Sequence, residues 1–192
     1  MNQMTSIHTA KRLKDLPLRL HHNAYTTNDH EVTRQFYEDV LGLPLVAMFI
    51  ERELIDGDWV EFGHAFYGLG DGSALAFFSF ADPAKQAAWN AREQPIFIHI
   101  ALAVVKSTQD ELVQRLNAAG HKFFILEHGF CTSLYVKDPN GLMLEFTVDE
   151  EKAAEISAEM AASAHEDMRR WMAGDRRTNN RWRPDKPENF PV

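Results

Sequence analysis

Three side chains with the chemistry of metal ligands sit inside stretches that read as strands. Residues 18 to 29, LRLHHNAYTTND, place His21 and His22 side by side. Neighbouring side chains on a strand point to opposite faces, so only one of the two can look into a site built on a given face. His22, in step with Ala24, is read as the inward one. His21 shares the other face with Asn23 and Tyr25, where a helix-side hydrogen bond or solvent is its expected partner. His99 stands at the corresponding place of the second half, in PIFIHIALAVV, and Glu145 lies in GLMLEFTV between Leu144 and Phe146. A carboxylate there is costly to bury without a partner. Two imidazoles and one carboxylate form a facial ligand set that leaves positions of an octahedral ion open to substrate oxygens and, on iron, to dioxygen.

The elements that must position these residues occur twice. After a polar leader, residues 18 to 27 read as a strand. NDHEVTRQFYEDVLGLP reads as a helix with Asn28 and Glu31 as a capping box and Val32, Phe36 and Val40 as its apolar stripe. Extended stretches follow at 45 to 50, 59 to 68 and 74 to 80. In the second half come a strand, a helix STQDELVQRLNAAG with Leu112, Leu116 and Ala119 on one face, and the strands KFFILE, CTSLYVKD and LMLEFTV. The expected fold is α+β: two βαβββ modules, about 18 to 81 and 95 to 149, whose mixed sheets form a cupped metal site. Residues 82 to 94 connect them, 150 to 173 form a C-terminal helix, and 174 to 192 an irregular tail. Ile156, Met160, Ala164, Met168 and Met172 form the helix's apolar stripe, which would dock on the sheets or on a second subunit of a homodimer.

In HHNAYTTND leading into FYEDVLGLP, in HIALAV, and in SLYVKDPNGLMLEF, the chain resembles the vicinal oxygen chelate superfamily over about residues 18 to 149. That group includes glyoxalase I, fosfomycin-resistance proteins, bleomycin-binding proteins and type I extradiol dioxygenases. The resemblance implies His22, seven residues before Asp29, His99 and Glu145 as metal ligands. Where glyoxalase I has a further glutamate, GSALAFFSF offers Ala76, which can neither bind a metal nor move a proton. The ligand pattern is closer to the extradiol enzymes, and so is Tyr135, ten residues before Glu145, whose phenol could hydrogen-bond a substrate oxygen. His64, in EFGHAFYGLG, and His128, in LEHGFCTSLY, are the candidate acid and base, although the resemblance would put the base on Leu126. Phe66 shares the face of His64, as a flat apolar substrate would require. The implied function is a dioxygenase cleaving or oxygenating an aromatic vicinal diol, with Fe(II), or Mn(II) in its place, and O2 as co-substrate. The alternatives are a glyoxalase-like isomerase or lyase acting through an enediolate, and a metal-free protein that sequesters an aromatic molecule.

Composition narrows the setting. A formal net charge of -8 argues against a nucleic-acid or anionic-membrane surface, and the arginines after residue 168 are interleaved with carboxylates as in a solvated tail. Cys131 is the only cysteine, which rules out an intrachain disulfide and reads as a small buried residue. The leader has no long apolar run before its charges, so a cytoplasmic protein is expected.

Overall fold

The computed structural model describes residues 17–55, 57–94, 97–175 and 179–183. The leader and most of the predicted irregular tail therefore lie outside the described residues. The first half runs β1 (His22–Thr26), α1 (His30–Arg34), β2 (Leu45–Ile55), β3 (Asp58–Gly68) and β4 (Ala74–Phe80). A short α2 (Pro83–Ala88) leads to β5 (His99–Ala103), α3 (Lys106–Ala119), β6 (Phe123–Glu127), β7 (Cys131–Lys137) and β8 (Met143–Asp149). Last comes α4 (Ala153–Met172). The sheets have the same plan, β1-β4-β3-β2 and β5-β8-β7-β6, each with one parallel pair, β1 on β4 and β5 on β8. Among the described residues no helix is long and apolar enough to cross a membrane.

Several local expectations shift for identifiable reasons. The first helix is capped by Asp29 rather than Asn28: its carboxylate accepts from the amides of Glu31 and Val32 at 2.7 and 3.1 Å. After Arg34 the helix widens into a π-helical stretch, Gln35–Val40, closed by Leu41 N–H donating to the Phe36 carbonyl at 2.9 Å. That widening brings Tyr37 into the core beside Phe36 and leaves Val32 exposed, which a stripe drawn at α-helical spacing could not foresee. On α3 the buried partner of Leu112 and Leu116 is Gln109, not the exposed Ala119. The Gln109 amide donates to the carbonyls of Thr132 and Phe146, so a polar side chain is buried at no hydrogen-bonding loss. Only the start of the α4 stripe is used. Ile156 is buried, while Met168 and Met172 are exposed and the inner side continues with Ser163, Asp167 and Arg170.

One apolar core joins the halves. Tyr67, Leu75 and Phe77 from the first sheet and Leu134, Leu144 and Phe146 from the second enclose Phe36, Tyr37, Leu112 and Leu116 from the helices. A polar joint crosses it from the β7–β8 turn, KDPNG. Asp138 takes hydrogen bonds from the amides of Asn140 and Leu142 at 2.9 and 2.7 Å, and from the Tyr37 hydroxyl, in the other half, at 3.0 Å. Asn140 donates to Thr33 at 3.0 Å and accepts from Thr27 at 2.9 Å. Burial raises the Asp138 carboxyl above its ordinary pKa, although those donors oppose the shift. Asp138→Ala would orphan two amides and the Tyr37 hydroxyl, and should cost about 3 kcal/mol in urea unfolding at neutral pH. A loss indistinguishable from that of an exposed aspartate variant would show that the joint is not load-sharing.

Candidate functional site

The second sheet carries a connected set of polar side chains on the face away from the shared core. Across it, Phe124, Tyr135, Glu145 and Ala101 stand in one row of directly paired residues, and His99 is two residues before Ala101 on the same face. Tyr135 donates to Glu145 Oε1 at 2.8 Å, while His99 Nε2 lies 2.9 Å from Glu145 Oε2. His128, just past the end of β6, brings its Nε2 to 2.9 Å from the Tyr135 hydroxyl. Glu145 is only 7% exposed, so its carboxylate persists in the sheet because both oxygens are engaged. Burial, then the neighbouring carboxylate, pushes the Tyr135 phenol pKa well up; burial lowers that of the His128 imidazole and favours its neutral form. Phe124 stacks on Tyr135 with ring centroids 4.9 Å apart.

The matching face of the first sheet is more aromatic. His22 lies edge-on to His64 and Phe66, at 5.9 and 5.4 Å between centroids, and Phe49 packs on Phe66 at 5.5 Å. Ala76 is paired with Ala24 on one side and Phe66 on the other, and so lies on this face, fully buried. His64 stacks on Phe78 at 3.5 Å, and its Nε2 is buried without a partner among the described residues. Burial, with the nearby His22 and His30, lowers the His64 pKa to about 4. At neutral pH it is therefore an uncharged hydrogen-bonding group and a weak base, unlike the ordinary imidazole the sequence suggests.

His21 has a different partner from the one expected. It precedes the first paired residue of β1, so the alternation of faces does not bind it, and its Nδ1 stands 2.8 Å from His22 Nδ1. One ring must donate and the other accept, which leaves His22 Nε2 as its free nitrogen. His99 and Glu145 come together, with Tyr135 and His128 joined to them. His22 stays on the other sheet with His64. Among the described residues no group of three histidine, cysteine, aspartate or glutamate side chains is close enough to hold a metal ion. The two mixed four-stranded sheets are as expected, and no cluster of metal ligands joins them among the described residues. The sequence also gave no sign of Asn180, whose amide Nδ2 donates to the His128 carbonyl at 3.0 Å.

This pairing of two βαβββ sheets defines a class. The family model described as the Glyoxalase/Bleomycin resistance protein/Dioxygenase superfamily matches residues 19–146, and the chain belongs to that superfamily. Its fold is shared by a glyoxylase/bleomycin resistance protein/dioxygenase domain from Frankia sp. EAN1pec, at 18% identity and a TM-score of 0.54, over 71% of this chain and 95% of that one. It is shared also by the fosfomycin resistance protein FosX from Listeria monocytogenes (15% identity, TM-score 0.52, 74% and 98% of the two chains). A FosX mutant complexed with Mn(II) and 1S,2S-dihydroxypropylphosphonic acid aligns at 15% identity and a TM-score of 0.52, over 71% and 97%. A putative dioxygenase from Bacillus subtilis aligns at 22% identity with a TM-score of 0.52, over 69% of this chain and 41% of that one. No curated protein matches the chain.

The depressed His64 pKa links stability to pH. The unfolded chain takes up a proton near pH 6.5, whereas the folded one resists it until about 4. Stability is thus lost as pH falls through that window. In the metal-free protein, unfolding at pH 5 should cost about 2 kcal/mol less than at pH 7 on this account, and His64→Phe should remove most of the difference. An unchanged pH dependence in His64→Phe would assign it to other groups.

Proposed function

We propose that the protein is a metal-dependent enzyme that cleaves or oxygenates an aromatic vicinal diol with O2, its ion held by His22, His99 and Glu145. The observation that carries this reading is the buried Glu145, one oxygen on His99 and the other on Tyr135, with His128 behind the phenol. Within one chain the three ligands do not fit one ion. The set would be completed if the first sheet of one copy faced the second sheet of another. Phe49, half-exposed and directly paired with His64 on the histidine-bearing face, suits such a homodimer. Fe(II), or Mn(II) as in the FosX complex, would lower the pKa of a diol hydroxyl and hold the diol beside dioxygen.

The chain's own residues have separate tasks. Phe49, Phe66 and Phe78 offer faces to a flat ring, and neutral His64 offers a hydrogen bond to a substrate oxygen beside it. Tyr135 donates to Glu145 and keeps that carboxylate turned toward His99. His128, held neutral, donates its Nε2 proton to the Tyr135 oxygen, whose own proton is on Glu145, and so can hand a proton on through the phenol as a general acid. Alanine at position 76 and a weak base at His64 count against the proton shuttle of a glyoxalase-like isomerase.

Protein prepared without oxygen should carry a stoichiometric metal, consume O2 with a panel of catechols and give a yellow ring-fission product. Full metal loading with no oxygen uptake would sink the dioxygenase reading and leave the isomerase or lyase. Failure to load any of Fe, Mn, Zn or Ni would leave a metal-free binder of aromatic molecules. His22→Ala and Glu145→Ala should each lose the metal. Mixed after partial unfolding and refolding, they should recover about a quarter of the parent's metal sites if the set spans two copies. No recovery would place it within one chain.

A further inference from the structure

The part of the chain beyond residue 146 lies outside the stretch matched by the family, yet it returns to the candidate site. Residues 179–183 are tied on two sides. Arg181 pairs with Glu159 of α4 at 2.6 Å, and its guanidinium also lies 4.5 Å from the centre of the Trp182 ring. Asn179 hydrogen-bonds Asp167, also on α4. On the other side Asn180 Nδ2 donates to the His128 carbonyl, and the Trp182 backbone packs so closely on Gly129 that a Cβ there would collide with the Trp182 carbonyl. Gly129, with φ at +85°, is both the residue that makes the turn and the residue that admits the strap. Asn180 holds this contact although its Oδ1 is buried with no partner among the described residues, so packing rather than an alternative bond fixes its amide. The turn it grips carries the imidazole that meets Tyr135.

We propose that Asn180, on the strap 179–183, is a positioning residue that fixes His128 against the Tyr135 hydroxyl. Its importance for catalysis rests on the reading of His128, Tyr135 and Glu145 as one site; its action on the imidazole does not. The strap packs on the β6–β7 turn and so restrains the backbone from which the His128 ring reaches Tyr135. The hydrogen bond runs from the amide to a backbone oxygen, and therefore needs a donor at position 180. An aspartate has the same shape and lacks that donor.

The test uses the full chain, free of metal and substrate and labelled with 15N-histidine. In the parent, the His128 ring should show the nitrogen shifts of a single neutral tautomer and slow carbethoxylation by diethyl pyrocarbonate. Asn180→Asp and Arg181→Glu, which loosen the strap's anchorages on His128 and on α4, should average those shifts and speed His128 modification about fivefold, the factor held by one hydrogen bond. Asn180→Gln, which keeps an amide donor, should stay near the parent, and all variants should still unfold in one cooperative transition. Parent-like shifts and rates in both Asn180→Asp and Arg181→Glu would overturn the proposal. So would an Asn180→Gln variant as disturbed as Asn180→Asp, since the donor would then be irrelevant. A protein that never binds metal can still give either answer, which separates this result from the fate of the functional reading.

Discussion

Asp138 points inward from the β7–β8 turn, where two amides of its own turn, the Asn140 side chain and the Tyr37 hydroxyl of the other half converge on its carboxylate. Burying such a group is worthwhile only if every lone pair is used, and using them demands that α1 and the β7–β8 turn meet in one relative position. Thr27, Thr33 and Asn140 extend the same joint. With the halves locked there, the helix-bearing faces of both sheets close into one core, and the histidine-bearing faces are left outside it. The separation of His22 from the His99–Glu145 pair is thus a consequence of how the core is joined, not of any irregularity in β1.

The two half-sites differ in how far they are prepared. On the second sheet Glu145, His99, Tyr135 and His128 restrain one another, and the carboxylate is nearly excluded from solvent. On the first sheet His22 is exposed, and its hydrogen-bonding partner among the described residues is His21. The phenylalanines around His64 provide shape but little orientation. Polar geometry is concentrated on one sheet and apolar recognition on the other, so that joining them would bring together a rigid acceptor set and an aromatic wall.

Much of this was legible in the chain because it is local. The family resemblance tied Tyr135 to Glu145 by their spacing, the repeated order of elements pointed to two sheets of one topology, and the glutamate in an apolar strand marked a buried polar cluster. Where local signals competed, the reading slipped: Asn28 and Asp29 are both good caps, and only the chain path decides between them. Ala119 fits a helical stripe by hydropathy, but Gln109 wins the interior because two strand carbonyls await its amide. The relative placement of the sheets was not legible, since the Tyr37–Asp138 contact spans 101 residues and no periodicity encodes it. The same holds for Asn180, which reaches His128 across 52 residues.

The π-helical stretch Gln35–Val40 bears on how this fold tolerates change. Its wider turn accommodates, in effect, one residue more than a regular helix would over the same rise. Tyr37 reaches Asp138 from within that turn. A deletion of one residue there would relax the backbone to ordinary helix, a local gain, while rotating the tyrosine away from the carboxylate it must meet. The segment is therefore a length gauge: substitutions can be absorbed along its outer face, but its residue count is coupled to a turn in the opposite half of the molecule.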